Sequence, residues 1–421
     1  MDKTKSFEVK GIKLADQGVM NIEFAEQRML ALMLIKRRFE KERPFENIRI
    51  GLALHVTKET GVLVRTLAAG GADIAITGCN PLSTQDDIAA ALAKEGVKIW
   101  AYKGEAKDDY YTYIKRVMNF RPNITIDDGC DLVSEIHKNN ADLIDGIIGG
   151  CEETTTGVIR LMAMEKARAL KYPMVAVNSN KTKYLLDNYY GTGQSTVDGI
   201  LRATNILFAG KTVVVIGYGN CGKGFALRAK GSGANVIVTE VNKFRALQAV
   251  YDGFRVMKIE EASLEGDVFC TLTGNKHVIR TDHVKTMKNG AILANAGHFD
   301  VEIDINGIEN IAKSKRRVRP NLDEYVLTDG KRIFICGEGR LINLAAAEGH
   351  PSEVMSTSFC GQALAVEYCV KNREKLMNKV YNLPNEIDES ISALQLKAMN
   401  IEIDELTESQ IKYLNSWEDG T

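Results

Sequence analysis

Residues 211–240 read KTVVVIGYGNCGKGFALRAKGSGANVIVTE, and this stretch sets the architecture. Thr212–Ile216 is a short, mostly β-branched run, the pattern of a strand buried on both faces of a parallel sheet. The turn Gly217-Tyr218-Gly219-Asn220-Cys221-Gly222 follows at once. Residues 223–230 then have helical spacing, and 235–239 form a second apolar strand that ends at Glu240. Strand, glycine turn, helix, strand and acid in this order make a dinucleotide-binding unit. Gly217 permits the tight turn, Gly219 lets a pyrophosphate approach the backbone, and Gly222 lets the helix pack closely on the strand. The helix start beside Asn220 offers free N–H groups to phosphate oxygens. Glu240 can accept both ribose hydroxyls and would repel a 2′-phosphate, which favours NAD over NADP; Lys243 and Arg245, close by in sequence, leave NADP open. A GxGxxG alone is often only a glycine-rich turn, so its setting carries this assignment.

Bulk properties narrow the field. A chain of 421 residues has room for two or three domains with sizeable cores. The formal net charge is −1 with acids and bases interspersed, which points away from nucleic acid and anionic membranes. The densest basic run, Lys313-Ser314-Lys315-Arg316-Arg317-Val318-Arg319, reads as a solvated helix end or turn. The eight cysteines form no CxxC pair and several sit in apolar strands, so reduced thiols are expected, with no disulfide framework and no metal site. The opening MDKTKSFEVKG lacks an apolar core, and no long apolar run occurs, which reads as a soluble, cytoplasmic protein.

Before the glycine turn, strands and helices alternate. Residues 21–40 have helical apolar spacing and predict one amphipathic helix. Strands are expected at 48–54, 73–77, 98–101, 124–126, 146–148 and 174–177, with helices between them. This is a first doubly wound parallel sheet without a glycine-rich phosphate turn, and the α/β chain therefore holds two such lobes. Ligands of these sheets sit beyond the carboxyl ends of the strands. Those ends carry His55, Cys79-Asn80, Asp127-Asp128-Gly129, Glu152-Glu153-Thr154-Thr155-Thr156 and Asn178-Ser179-Asn180. Ser83, Thr84 and Asp131 read as helix caps; a histidine and several carboxylates at once exceed what capping needs. Residues 187–196, polar and containing Gly191 and Gly193, look like the passage between lobes. In the second lobe, 271–275 and 295–300 are strand-end clusters facing the cofactor, Asn275 and His298 among them. The expected division is 1–187 rejoined by about 346–400, then 188–345 for the dinucleotide, with 400–421 as a helical extension.

The motifs resemble the S-adenosylhomocysteine hydrolase family. They are His55-Val56-Thr57-Lys58-Glu59-Thr60, Asn80-Pro81-Leu82-Ser83-Thr84-Gln85-Asp86, Asp127-Asp128-Gly129, Glu152-Glu153-Thr154-Thr155-Thr156-Gly157, and Lys183 through Asp187-Asn188. Gly297-His298-Phe299-Asp300-Val301-Glu302, Glu338-Gly339-Arg340-Leu341-Ile342-Asn343 and Gly349-His350-Pro351 follow in the family's order, so the resemblance spans nearly the whole chain. It implies a tightly held NAD that is used and regenerated in each turnover. The ribose 3′-hydroxyl is oxidised, which makes the C4′ hydrogen removable; the thioether leaves C5′, water adds, and the ketone is reduced again.

By this resemblance Lys183 handles the 3′-hydroxyl proton, which requires neighbours that lower its pKa. Asp187 and Glu153 hold the ribose hydroxyls, Asp128 takes the C4′ proton, and His55 serves the leaving group and incoming water. His298 lies near ribose and cofactor. Thr57, Glu59, His350 and Met355 match purine contacts; Thr154, Thr155, Thr156, Asn188 and Asn343 join Gly217, Gly219, Asn220, Gly222, Glu240 and Asn275 in the cofactor set. Thr192 stands where many members have cysteine, and the end at Thr421 lacks a longer Lys/Tyr-containing tail. This shorter form resembles archaeal and thermophile members, some of which prefer S-inosylhomocysteine. Glu59, an acceptor when ionised, suits adenine N6 or hypoxanthine N1 equally. The resemblance further implies a nucleoside thioether substrate and a homotetramer, and two lobes joined by a glycine passage predict closure on substrate to shield the ketone from water. The glycine turn alone also admits a net NAD-dependent dehydrogenase or a non-catalytic NAD-binding regulator.

Overall fold

The computed structural model describes residues 6–418; the terminal residues 1–5 and 419–421, on which part of the N- and C-terminal readings rest, lie outside them. Seven strands come first: β1 (Phe7–Glu8), β2 (Arg49–Ala53), β3 (Asp73–Thr77), β4 (Lys98–Trp100), β5 (Ile124–Asp127), β6 (Gly149–Glu152) and β7 (Met174–Ala176). Eight follow: β8 (Thr212–Ile216), β9 (Asn235–Thr239), β10 (Arg255–Val256), β11 (Val268–Thr271), β12 (Ala291–Asn295), β13 (Ala312–Arg319), β14 (Leu322–Leu327) and β15 (Arg332–Cys336). The last, β16 (Val380–Tyr381), returns to the first sheet beside β7.

The first sheet runs β1-β4-β3-β2-β5-β6-β7-β16 and is parallel throughout. Its order reverses between β2 and β5, so the loops after these strands part there and leave a crevice. The second sheet runs β10-β9-β8-β11-β12-β15-β14-β13, and its reversal lies between β8 and β11. Alternation along the strands feeds separate cores. Ile50 and Leu52 face a cluster with Leu32, Phe39 and Phe359, while Ala53 faces Tyr113, Val117 and Leu161. In β8, Val213 and Val215 face one side and Val214 and Ile216 the other.

Four expectations change. The strand expected at 146–148 lies later, at Gly149–Glu152, because a 3-10 helix runs through Ala141–Gly146. The helix expected over 21–40 is two helices, Ala15–Glu26 and Leu30–Glu42, broken at Met29 (φ −91, ψ 54). Both pack on the helix Lys58–Ala69, but the first also packs on Asp86–Lys94 and the second on Ser352–Asn372, so each half buries apolar residues and the periodicity hides the break. The polar passage 187–196 is helical: Asp187–Gly191 is a π-helical turn that runs into the helix Thr192–Thr204. Its Gly193 serves close packing, since a Cβ there would stand 2.6 Å from the Gly224 carbonyl carbon. The basic run 313–319 is the strand β13, antiparallel to β14, which is itself antiparallel to β15, so the second sheet is mixed. An edge strand presents unpaired backbone groups, and exposed Lys315, Arg316 and Arg317 guard it against other chains.

Candidate active site

A cleft of about 540 Å³ opens where the two reversal points face each other. Its first wall is built at the carboxyl ends of β2 and β5. His55 follows β2, and its Nε2 lies 3.5 Å from Asp128 Oδ2. His298 Nδ1, from the loop after β12, lies 3.6 Å from Asp128 Oδ1, so one carboxylate stands between two imidazoles. The other His55 nitrogen, Nδ1, is 2.7 Å from Ser83 Oγ. Burial moves the His55 pKa down to about 4; Asp128 pulls it up, while His298, His350 and Lys183 add to the fall. His55 is therefore neutral at physiological pH.

Lys183 and its partners form the floor. The short helix Lys181–Tyr184 and the π-helical turn after it bring Lys183 Nζ to 3.1 Å from Asp187 Oδ1, 2.8 Å from Asn188 Oδ1 and 3.6 Å from Glu153 Oε1. Burial by itself would lower the Lys183 pKa, but Asp187, Glu153 and Asp128 outweigh it and hold the ammonium above its usual range. Neighbours that lower the pKa, the condition for a lysine base, are therefore not what surrounds it: three carboxylates do. Asp187 is held well below the ordinary carboxylate range; burial opposes this, and Lys183 and His350 overcome it. Glu153 goes the other way, to about 7, because burial outweighs the Lys183 charge. Its oxygens accept from Ser358 Oγ and Gln362 Nε2.

The purine matches fall into two groups. Thr57 caps the helix Lys58–Ala69, accepting from Thr60 N at 3.5 Å, and lines the cleft with Met355. Glu59 Oε1 accepts from Ser352 Oγ at 2.6 Å and lies 3.4 Å from Lys58 Nζ. The His350 side chain points to the Lys183 group instead, with Nδ1 3.0 Å from Asp187 Oδ1 and Nε2 3.2 Å from Thr192 Oγ1.

The second wall carries the glycine turn. Gly219 and Asn220 line the cleft opposite Thr154, Thr155 and Thr156. Gly217 and Gly222 lie behind it: a Cβ on Gly222 would stand 1.9 Å from Gly217 O, which is the close helix–strand contact that position needs. Glu240 also stays off the cleft lining, its carboxylate accepting from the backbone of Tyr218, Val241 and Asn242. Asn275 is exposed and off the cleft, whereas Thr273 and Gly274 before it line the wall. Asn188 and Asn343 are on the lining, and Asn343 Oδ1 is buried without a hydrogen-bond partner. A glycine turn that admits close backbone approach, together with an orphaned amide oxygen in the same cleft, fits a dinucleotide with an amide-bearing ring.

Three reassignments concern helix capping. Ser83 is no cap; it is the Nδ1 partner of His55. Thr84 is buried with its hydroxyl unpartnered. Asp131 begins the helix Asp131–Asn139 but pairs with Arg160 at 2.6 Å and Tyr110 at 2.9 Å. Ser358 and Gln362, the Glu153 partners, were missed. Their signal is polarity at i and i+4 on one face of the long helix Ser352–Asn372, masked by the neighbouring Ser356 and Thr357.

Two parallel-rich sheets with a glycine turn on one side and buried acid/base groups on the other define an NAD-using α/β enzyme. The model of the NAD binding domain of S-adenosyl-L-homocysteine hydrolase matches residues 188–349, and that of S-adenosyl-L-homocysteine hydrolase matches 6–145. The chain is 58% identical over 415 residues to an adenosylhomocysteinase of Sulfolobus acidocaldarius, covering 99% of this chain and 100% of the relative. Identity is also 58%, with the same coverage, to an S-inosyl-L-homocysteine hydrolase of Methanocaldococcus jannaschii. A second S-inosyl-L-homocysteine hydrolase, from Methanopyrus kandleri, is 52% identical over 100% of this chain and 99% of its own. The chain belongs to the S-adenosyl-L-homocysteine hydrolase family. Among the described residues, no helix is long and apolar enough to cross a membrane.

Proposed function

We propose that the protein hydrolyses S-adenosyl-L-homocysteine, reversibly, to homocysteine and adenosine. One observation supports this above others: Lys183, Asp128 and His55, three proton-handling groups from three separate segments, line one cleft opposite the glycine turn. NAD, when bound, supplies acceptance and return of a hydride at the ribose C3′. Gly219, Asn220, Thr154 to Thr156, Asn188 and Asn343 would hold it, with Gly217, Gly222 and Glu240 shaping the turn behind.

Lys183 takes the 3′-hydroxyl proton. Its ammonium is stabilised by three carboxylates, so it acts as base only after passing a proton to one of them; Glu153, 3.6 Å away with its pKa raised to about 7, is the one able to accept it. Asp187 and Glu153 orient the ribose hydroxyls. Asp128 removes the C4′ proton, and the two imidazoles beside it limit its movement. In the hydrolytic direction neutral His55 accepts the proton that the incoming water gives up, offsetting the one the departing thiolate takes; in the reverse direction it returns that proton to the departing hydroxide. Ser83 fixes the tautomer by engaging Nδ1.

Among the described residues, 6–187 with 346–400 form the substrate lobe, 188–345 the cofactor lobe and 400–418 an extension; the lobes close on the substrate to keep water from the ketone. The protein works in the cytoplasm as a homotetramer. S-inosyl-L-homocysteine is the second reading, favoured by the equal identity to relatives of both names. Release of homocysteine thiol by the purified protein tests both: release from neither substrate refutes the proposal, and the ratio of kcat/KM decides the base. Steady NADH accumulation would point to a net dehydrogenase instead.

A further inference from the structure

Glu152 takes no part in the proton transfers above, yet it is wholly buried directly behind them. It ends β6 and pairs in register with Asp127 at the end of β5. One oxygen, Oε1, accepts from Gly129 N at 2.9 Å and from Thr154 N at 3.0 Å. Gly129 follows Asp128 in the acid/base turn, and Thr154 opens the threonine stretch on the cleft wall. Asp127 braces the same turn, accepting from Asp128 N at 3.0 Å and Val133 N at 2.8 Å. Two glycines clear the space. At Gly129 (φ +109) a Cβ would stand 2.2 Å from His298 Nε2, and at Gly157 a Cβ would stand 2.1 Å from Glu152 Cδ. With His298 over the turn and Glu152 under it, the turn has little freedom.

We propose that Glu152 is a positioning residue for the reaction: by the reach of its Oε1, and not by charge, it clips the Asp128–Gly129 turn to the Thr154 stretch and so sets where Asp128 stands. The proposal rests on Asp128 being the C4′ base, as read above. Charge is the wrong agent for three reasons. Burial, then Asp127 and Asp128, push the Glu152 carboxyl well above its usual range. The other oxygen, Oε2, is buried with no partner, which makes an ionised carboxylate costly there. The nearby cation, Arg160, is engaged elsewhere, donating to Gly129 O and Asp131 Oδ1. A glutamine at this position keeps the accepting oxygen and the reach. An aspartate keeps the titrating group but falls one methylene short.

The test compares NAD-loaded Glu152→Gln and Glu152→Asp by kcat, KM and the solvent exchange of the C4′ hydrogen. Glu152→Gln is expected to keep kcat within about threefold of the native enzyme with an unmoved pH profile, and Glu152→Asp to lower kcat and C4′ exchange about 100-fold with KM within about twofold, the scale of a ~1 Å misplacement. If aspartate is tolerated better than glutamine, charge or the proton is what matters and the proposal fails. If both variants exchange C4′ at the native rate, Glu152 only supports the fold and the proposal fails equally. Should Glu152→Asp not fold, Gly157→Ala replaces it, because its methyl would displace the carboxyl: slowed exchange supports the clip and native exchange overturns it. Asp128→Asn run alongside separates the two readings. Native C4′ exchange in that variant would refute Asp128 as the base, whatever the Glu152 variants do.

Discussion

The two sheets meet at the same cleft with opposite kinds of polar group. At the strand ends of the first sheet, the acid/base side chains that face the cleft bond to other side chains: Lys183 to Asp187 and His55 to Asp128, with His350 joining Asp187 and the second sheet's His298 joining Asp128. At the strand ends of the second, side chains bond to the backbone. Asn295 Nδ2 donates to the carbonyls of Gly297, Phe299 and Gly339, and its Oδ1 accepts from Gly297 N and Thr271 Oγ1. Glu302 accepts from the backbone of Thr273 and Gly274. Groups held against each other can exchange protons, whereas groups held by backbone make a rigid bracket. The first sheet is built to run chemistry and the second to hold a shape.

This contrast can be broken, most severely at Lys183. Lys183→Met should lower kcat about 1,000-fold, within the range of lost acid/base catalysis, while bound NAD stays near native stoichiometry. Loss of NAD from this variant would erase the division between the two walls. The next effect is in stability against pH. The His55 pKa falls from 6.5 unfolded to about 4 folded, so the unfolded chain binds the proton first as pH drops. Its contribution is therefore complete above pH 6.5 and is lost as pH falls towards 4, on the order of 3 kcal/mol in all. Denaturant unfolding of native protein and His55→Asn across that window should show the gap closing on the acid side; parallel curves would contradict it.

On the bracket side, Asn295→Ala removes five hydrogen bonds and should cost about 2–3 kcal/mol of stability, read as a lower Tm, with the pH profile of kcat unmoved. A shifted profile would mean the second sheet also tunes proton transfer. The smallest effect sharpens the first wall. Ser83→Ala leaves His55 Nδ1 without its partner and should lower kcat about tenfold with KM nearly unchanged. An unchanged kcat would return Ser83 to a structural role.

Much of this was legible from residue order. The glycine turn between two apolar strands specified the second sheet, and strand-end placement brought His55, Asp128, Glu153 and Lys183 to one crevice. Local reading failed where a residue's partner is distant in sequence. The Met29 break depends on which helices each half meets. The basic strand β13 had no apolar alternation to reveal it, because an edge needs charge. His350 matched a purine contact by motif, but its imidazole is set by Asp187, 163 residues earlier by number (350 − 187).

By itself the amino-acid sequence determined the kind of machine: two α/β sheets, a dinucleotide turn and a set of acid/base side chains, because strand periodicity, glycine spacing and motif order are local properties. Only the tertiary structure decided protonation and support. Lys183 reads as a base in a motif, yet three carboxylates hold its proton. Ser83 reads as a cap, yet it faces His55. Glu152 reads as the companion of Glu153, yet it points behind the wall and grips Gly129. Burial and through-space charge decide each of these, and neither is written in neighbouring residues.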